Sequence, residues 1–550
     1  MMKKLWLFAG LSLLACNTGL FAQGNEIDAY TLSTTELNGT ARSMAMGGAF
    51  GALGGDISVL SHNPAGLGIY RSSEISGTLD LSMINTSTNW SGIGTKIDKT
   101  RFAPNNFGFE LYFPTSSGSV QHWNFGFSYN RLKNFNRKYK MRNNGQEYSL
   151  ADYIASRASN AFGEGRGISK DALTYEKGVY DPYENSALSG NWLPVLGYES
   201  GFFDHFAGGE NSYQSAFGNW SDNNVWNIFS PDATELIVNE SGQIDEYNIG
   251  LGFNVSNILF LGASISVTDI NYRYSSFYEE FFPYDQSKDD YLYLENRLTT
   301  DGSAVSVNLG AILNLQMLRL GVAYNSPRWY TMTDYYDAQA ETYINGYDEP
   351  SMYANTPESS YSEYRFTSPG KWIFSGALIL GYSFIVSADY EVMNYKGMRF
   401  SDRDGDDSGF GAINDDFIKN DYKLSHTLKL GTELKITPQF AVRAGYMMQT
   451  SPMTKDLSDN VLEVLPSGTI PHFTTVADPT QYYTVGLGYR FSPNFYMDLA
   501  AVFRTNSSKA YAFSNTYYNV PNIDVHPVYS EAASLKTKST RLALTLGYKF

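Results

Sequence analysis

The last ten residues of the chain, 541–550, alternate strictly. Leu542, Leu544, Leu546, Tyr548 and Phe550 fall on one face of an extended chain, and Arg541, Ala543, Thr545, Gly547 and Lys549 fall on the other. A period of two marks a strand, and about ten residues of it ending in aromatics suit a tilted strand with one side in lipid. The pattern recurs upstream. Trp123, Phe125, Phe127 and Tyr129 alternate with Asn124, Gly126, Ser128 and Asn130; Tyr247, Ile249, Leu251, Phe253 and Val255 alternate with Asn248, Gly250, Gly252 and Asn254. Further runs begin near Glu74, Asn105, Ile258, Tyr291, Met317, Phe366, Phe384, Tyr422, Gln439, Gln481 and Phe495. The total is about fourteen strands, the even number that closure of an antiparallel barrel demands. A soluble sandwich also points apolar residues at a core, but rarely needs so many long, aromatic-ended strands. No segment after the first 23 residues offers ~20 consecutive apolar residues, so a membrane is crossed here only by a closed barrel.

Composition agrees with an all-β chain. Among 550 residues stand 42 Tyr, 34 Phe and 49 Gly, types that favour pleated surfaces or disfavour helices. Hydrophobic residues make up 43% and charged ones 17%, which excludes a disordered acidic chain despite the formal charge of −16. That acidic balance argues against nucleic acid as a partner, because phosphates need a basic footprint. No polybasic run suited to lipid headgroups is present.

The first 23 residues form a targeting segment, with Lys3 and Lys4 before the apolar stretch Leu5 to Ala15 and small residues up to Ala22-Gln23. The sole cysteine, Cys16, follows Leu13-Leu14-Ala15, which also fits cleavage just before a lipid-modified cysteine. Either way the mature chain has no internal disulfide and works beyond the inner membrane. Residues 24–72 are expected to form a plug and residues 73–550 a transmembrane barrel. Very short links at Ser256-Asn257, Gln316, Gly381 to Ser383, Thr437-Pro438 and Ser492 to Asn494 alternate with long ones, notably Phe135 to Gly242. Short turns on one side and long external loops on the other are the outer-membrane arrangement.

The longest loop carries a helical pattern at Ser149 to Ala158, with Leu150, Tyr153 and Ile154 on one face behind a capping serine. Beyond it Trp192, Leu193, Val195, Leu196, Tyr198, Phe202, Phe203 and Phe206 gather apolar surface in a loop expected to be exposed. Exposed apolar residues grouped together mark a ligand groove. The competing reading is a small core belonging to the loop itself.

Between Thr40 and Tyr70 glycines and small residues run up to Asn63-Pro64-Ala65. Proline fixes its own backbone and pushes Asn63 out of the helical region, giving a rigid turn. Met46-Gly47-Gly48-Ala49-Phe50 followed by Asn63-Pro64-Ala65 resembles the hatch of the FadL family of outer-membrane hydrophobic-compound transporters. Ser241 to Tyr247, leading into the strand Asn248 to Val255, and Ser368 to Trp372 resemble further family elements. The resemblance implies a fourteen-stranded barrel with a hatch in its lumen. It implies passive uptake of a hydrophobic small molecule, such as a long-chain fatty acid or an aromatic hydrocarbon. It also implies a kinked third strand, here about Trp123 to Tyr129, that opens sideways to outer-membrane lipid beside Asn63, Pro64 and Ala65. A terminal Phe550 is similar to the signal read by the barrel assembly machinery. Some fourteen-stranded relatives instead serve as platforms for surface proteins or secretion machinery, and that is the alternative function.

Other chemistries are weakly supported. Gly48 to Gly54 is not a phosphate loop, since it lacks the spacing and follows no strand. Asp402, Asp404 and Asp406 alternate as calcium ligands would, but Asp407 replaces the glycine of an EF-hand. The six histidines lack zinc spacing; His205 is the one haem-ligand candidate. No nucleophile elbow appears, so no enzyme, metal or cofactor is expected. Arg319, Lys429, Arg443 and Arg490 are expected to face the lumen, either to hold a carboxylate or to balance Asp389, Glu433 and Asp498.

Overall fold

The computed structural model describes residues 24–550 except 117, 162–165, 189, 207–210, 221–225, 283–289, 346–350, 358–359, 382, 406–409, 460–463 and 519–525. The expected leader and Cys16 lie outside the described residues. Fourteen antiparallel strands make one wall. They are β1 (Glu74–Trp90), β2 (Ile93–Pro114), β3 (Val120–Asn134, continued as Arg137–Asn143), β4 (Ala233–Val255) and β5 (Leu259–Phe282). Then come β6 (Asp290–Leu315), β7 (Leu318–Asn325 and Trp329–Tyr343), β8 (Ser360–Thr367 and Lys371–Leu380) and β9 (Phe384–Asn394 and Arg399–Asp402). The last five are β10 (Leu424–Lys435), β11 (Phe440–Gln449), β12 (Thr480–Arg490), β13 (Phe495–Tyr511) and β14 (Ala533–Lys549). β14 pairs back onto β1 from Glu74↔Lys549 to Asn89↔Ser534, which closes the wall. Closure matters because an unpaired backbone edge in hydrocarbon costs several kcal/mol per group, on the order of a lost hydrogen bond each.

The turns at the lower end are tight. Ser256, Asn257 and Gln316 hold φ of 55°, 57° and 60°, the left-handed values that two-residue hairpins require. Outward-facing side chains form an apolar belt. On β6 it runs Val305, Val307, Leu309, Leu313 and Leu315, all exposed. Those ten residue steps rise ~25 Å in a tilted strand, the thickness of a bilayer core. Above Val305 the same face of β6 turns to Ser303, Asp301, Thr299 and Arg297, so the wall continues upward out of lipid. That extension corrects the expected limits of the long loop: β3 runs on to Asn143 and β4 begins at Ala233. Ser241 to Tyr247 lies inside β4 rather than leading into it.

Helix α1 (Glu26–Ser33), from the amino-terminal segment, lies in this upper tier; Tyr30 packs against Tyr395 and Tyr422 at ring distances of 5.9 and 6.1 Å. The β3–β4 connection folds inward over the mouth. Its helix α3 (Leu150–Ser159) begins with a capping box, the Ser149 amide donating to Asp152 Oδ2 at 2.8 Å. Glu280, at the top of β5, accepts from the Leu150 amide at 2.9 Å.

Below, the hatch crosses the lumen as helix α2 (Ala41–Ala45) and two 3-10 turns, Ile57–Ser61 and Pro64–Ile69. It sits against inward-facing glycines of the wall. A Cβ on Gly262 would stand 2.2 Å from the Pro64 carbonyl carbon, and one on Gly310 would stand 1.9 Å from Asn63 Oδ1. Any side chain there would push the hatch from its seat.

Two predictions follow from these contacts. Gly310→Val or Gly262→Val should leave the barrel closed but loosen the hatch by about 1–3 kcal/mol. Hydrogen exchange of residues 57–69 should rise while the wall amides stay protected; unchanged exchange would refute the seating. The second concerns pH. Burial pushes the Glu280 carboxyl up to about 7, against hydrogen bonds from Ser149, Tyr278 and Leu150, and pushes Asp152 up to about 8. Both groups stay protonated in the folded cap at pH values where the unfolded loop has already ionised. Cap stability is therefore fullest at pH 4 and below and declines as pH rises to 7–8, by on the order of 3 kcal/mol per group. Protection of the α3 amides, corrected for intrinsic exchange, should fall from pH 5 to 8 in the native chain and stay flat in a Glu280→Gln, Asp152→Asn double variant.

Candidate functional site

Asn63 holds the hatch together through its side-chain amide. Its Oδ1 accepts from the Ala65 amide at 3.2 Å, and its Nδ2 donates to the Gly51 carbonyl at 2.7 Å and the Ala311 carbonyl of β6 at 3.4 Å. Pro64 opens the 3-10 turn, where its missing N–H wastes no bond. Ala65 is buried with Phe260 and Ile312. The motif thus faces β5 and β6. The third strand meets other parts of the hatch: Ser61 is a 2.8 Å acceptor for Asn130 Nδ2, and the Gly68 carbonyl lies 2.9 Å from His122 Nε2.

The ladder between β2 and β3 stops partway up the wall. These strands pair from Pro114↔His122 only as far as Asn106↔Asn130. Above that, β2 from Ile93 to Asn105 keeps only its β1 partner, while Arg137–Asn143 of β3 pairs with β4. A register shift accompanies the parting on each side, at Asn105 on β2 and at Leu132 on β3. Such bulges bend a strand and end its pairing. The kink therefore falls at Leu132, just above the stretch Trp123 to Tyr129.

A strap of the hatch, Glu36 to Gly39, occupies the inside of this parting. The Leu132 carbonyl, freed from the ladder, accepts from the Glu36 amide at 2.8 Å and from Asn38 Nδ2 at 2.9 Å, and Asn105 Nδ2 donates to the Gly39 carbonyl at 3.3 Å. The far wall holds the strap in place: Arg504 pairs with Glu36 at 2.6 Å, and Arg541 donates to the Leu37 carbonyl at 2.9 Å and to Asn38 Oδ1 at 2.6 Å. Across the parting, Arg101 of β2 reaches Asn134 Oδ1 at 2.7 Å and Gln243 Oε1 at 2.6 Å, and Lys99 reaches Asn239 Oδ1 at 3.0 Å. Phe102, the residue after Arg101, is 67% exposed on the outside. None of the strap or bridging residues carries a sequence motif; only the pairing register exposes them.

Most lumen cations are spent on acids or on the hatch. Arg443 pairs with Glu433 at 2.7 Å and Asp498 at 2.6 Å, Lys429 with Glu391 at 2.7 Å, and Arg42 of the hatch with Glu433 at 3.0 Å. Arg319 donates to the Leu53 carbonyl at 2.7 Å, Asp389 accepts from the Gly51 amide at 2.9 Å, and Arg490 is exposed at the lower rim. Above the hatch remains a polar chamber of about 60 Å³ bordered by Glu36, His62, Arg328, Lys371 and Glu391.

The apolar loop residues lie elsewhere than expected. Leu150, Tyr153, Ile154, Trp192, Leu193, Val195, Leu196, Phe202, Phe203 and Phe206 are buried, and they share one core with Leu236, Val238, Ile270, Leu292 and Leu294 of the upper wall. The surface they form is inward because the wall above the belt is apolar inside and must be covered. Tyr198 remains partly open. Tyr198 and Phe203 border a separate outer cavity of about 1090 Å³, between the β3–β4 connection and the β7–β8 connection. The two connections touch where Gly201, at φ +74°, meets Met352: a Cβ there would stand 2.6 Å from Met352 Sδ. His205 lines the same cavity. Asp402 Oδ1 accepts from the Asp404 amide at 3.1 Å; Asp406 and Asp407 lie outside the described residues. Among the described residues no group of three or more His, Cys, Asp or Glu is placed to hold a metal ion.

No family model matches the chain, and no curated protein sequence does. Solved structures do. A TodX monoaromatic hydrocarbon channel, the deltaS2 mutant, superposes with a TM-score of 0.50 at 14% identity over 94% of this chain and 100% of that one. A Pseudomonas aeruginosa FadL homologue gives 0.49 at 12% identity over 94% and 100%, and the P. putida toluene transporter TodX gives 0.47 at 14% over 94% and 99%. At such identities the likeness is one of fold: the chain is a fourteen-stranded barrel with the fold of the FadL-type channels.

Proposed function

We propose that the protein is a bacterial outer-membrane channel that takes up hydrophobic compounds passively and releases them sideways into lipid between β2 and β3. The observation that carries this reading is the parting itself. The β2–β3 ladder stops at the upper edge of the belt: thirteen residues of β2, Ile93 to Asn105, have no β3 ladder partner, Phe102 still faces outward there, and the hatch meets the parting from inside at the Leu132 carbonyl. A greasy molecule gains nothing from a water-filled pore; it needs a receiving cavity, a removable plug and a side door. The outer cavity, the Glu36–Gly39 strap and the β2–β3 parting supply these in order from outside to inside. Asn63, Pro64 and Ala65 then anchor the part of the hatch that stays, while the strap is the part that yields.

Neutral compounds suit this lumen better than long-chain fatty acids. Lys429 and Arg443 are already paired with acids, so a carboxylate would have to displace an existing partner. Toluene and the monoaromatic hydrocarbons, for which the structural neighbours are named, carry no such charge. Downhill movement fits a fourteen-stranded lumen, which has no room for the large plug of an energy-coupled receptor of roughly 22 strands. On this reading Phe550, 62% exposed at the lower rim, would be the signal for the barrel assembly machinery.

The side door is tested by closing it. Cysteines at Arg101 and Gln243, joined by a bis-thiosulfonate long enough to replace their contact, should lower uptake of labelled toluene by cells several-fold. Reduction should restore it, and unchanged uptake with complete bridging would refute the sideways route. Freeing the strap acts in the opposite direction. Arg504→Gln with Arg541→Gln removes its far-wall anchors, so toluene uptake should rise and exchange at residues 36–39 should quicken.

A further inference from the structure

We propose that three lysines above the belt, Lys96, Lys536 and Lys538, form a seat for a phosphate-bearing lipid of the outer leaflet. This rests on the reading of the barrel as an outer-membrane one with its long connections outside. No run in the sequence shows the seat, because closure of the wall makes it. β14 and β2 both pair with β1, and the registers Ser87↔Lys536 and Ser87↔Lys96 put two lysines on either side of one serine. In the row below, Asn85 stands between Lys538 and Asp98. The three lysines and Asp98 are exposed. Neighbouring strands lie ~4.8 Å apart and alternate residues ~7 Å apart, so the three ammonium groups on their four-carbon stems can converge over Ser87. The rows beneath hold Thr540, Met83 and Thr100, then Leu542, Leu81 and Phe102. At a strand tilt of about 40° the lysine rows stand ~5 and ~10 Å above Met83, at headgroup height, and lysine stems bend toward that layer. A lipid whose chains lie along Leu81, Leu542 and Phe102 therefore brings its headgroup to the lysines.

Two further observations point to an anion as the occupant. The first is that the lysines are unspent. Among the described residues none of the three pairs with an acid, and Asp98, the one carboxylate in the two rows, accepts from Asn85 Nδ2. Arg297, outward on β6, is by contrast held by Glu295 at 2.6 Å and Asp337 at 3.2 Å. The second is that the positive charge is local. On β4, β5 and β6 the two rows directly above the belt hold Asp245, Asp269 and Ser303, then Gln243, Asn271 and Asp301, with no lysine or arginine. A chain of formal charge −16 thus gathers unpaired cations on the β14–β1–β2 side of its outer wall. Phosphate oxygens accept charge-assisted hydrogen bonds from ammonium groups, and each lysine at a membrane surface strengthens attachment to anionic lipid about fivefold. The seat also borders the end of the β2–β3 ladder, since Lys96 lies on the length of β2 that has no β3 ladder partner.

The test is native mass spectrometry of the full chain released from detergent micelles with diphosphoryl lipid A, with the same lipid stripped of both phosphates, or with inorganic phosphate. The diphosphoryl form should bind at least about tenfold more tightly than the stripped form. Lys96→Gln with Lys536→Gln and Lys538→Gln should weaken it about a hundredfold and leave the stripped form unchanged. A control, Arg273→Gln with Arg297→Gln and Arg365→Gln, removes the same charge from other strands and should leave both forms unchanged. Equal binding of the two lipids, a phosphate preference that survives the lysine variant, or an equal loss in the control overturns the proposal. Displacement of the lipid by excess inorganic phosphate also overturns it, since the seat would then take the free ion. If the proposal falls while toluene uptake still depends on the Arg101–Gln243 bridge, the lipid seat fails and the uptake reading stands. If the phosphate preference holds while bridging leaves uptake unchanged, the seat stands and the sideways route fails.

Discussion

Closing fourteen strands on themselves removes every backbone edge from lipid, and the remaining architecture answers what that closure leaves behind. Pairing of β14 with β1 creates a lumen wide enough to leak, and the lumen must be filled without a second domain. The chain fills it in two tiers. At membrane level the filling is a hatch of small residues against wall glycines, laced by ion pairs such as Arg42–Glu433 and Arg541–Asp80. Above the belt it is an apolar core made from the β3–β4 connection and the amino-terminal helix. The two tiers use different physics because their walls differ: polar inside where lipid is outside, apolar inside where water is outside.

This division explains what was legible in the sequence. Alternation revealed the strands because a wall with lipid on one face and a lumen on the other must change character at every residue. The tight lower turns were legible from Ser256-Asn257, Gln316 and Gly381, whose left-handed backbones need such residues or reward them. The hatch was legible because close approach to a wall leaves room only for glycine and alanine. The upper strand limits were not. Once a strand leaves the membrane, its outer face turns polar while its inner face turns apolar, and the simple lipid signature stops at residues such as Val267 and Val305.

The apolar cluster around Trp192 to Phe206 shows the same ambiguity in sharper form. A run of buried aromatics and a run of exposed ones have the same sequence; only the surface waiting to be covered tells them apart. Leu236, Val238, Leu292 and Leu294 are that surface, and they come from strands far away in the chain. The outer cavity was invisible for the complementary reason. Its lining mixes acids, tyrosines and a glutamine from two loops that meet at Gly201 and Met352, with no periodicity to betray them.

The parting of β2 and β3 brings these strands of argument together. The break begins at the upper edge of the belt, where Phe102 is the last apolar residue on the outer face of β2 before Thr100, Asp98 and Lys96, and protein groups reach across it. These groups are of two kinds. Lys99 and Arg101 span the parting from wall to wall through side-chain hydrogen bonds to Asn239, Asn134 and Gln243. Glu36 and Asn38 meet the Leu132 carbonyl from within, and they belong to a segment held by Arg504 of β13, Arg541 of β14 and the burial of Leu37 against Met447 and Tyr482. A closure made by the hatch can be undone without disturbing a single rung of the barrel. The wall keeps the stability that closure gives, and the part of the lumen filling that meets the end of the β2–β3 ladder is a segment separate from the wall.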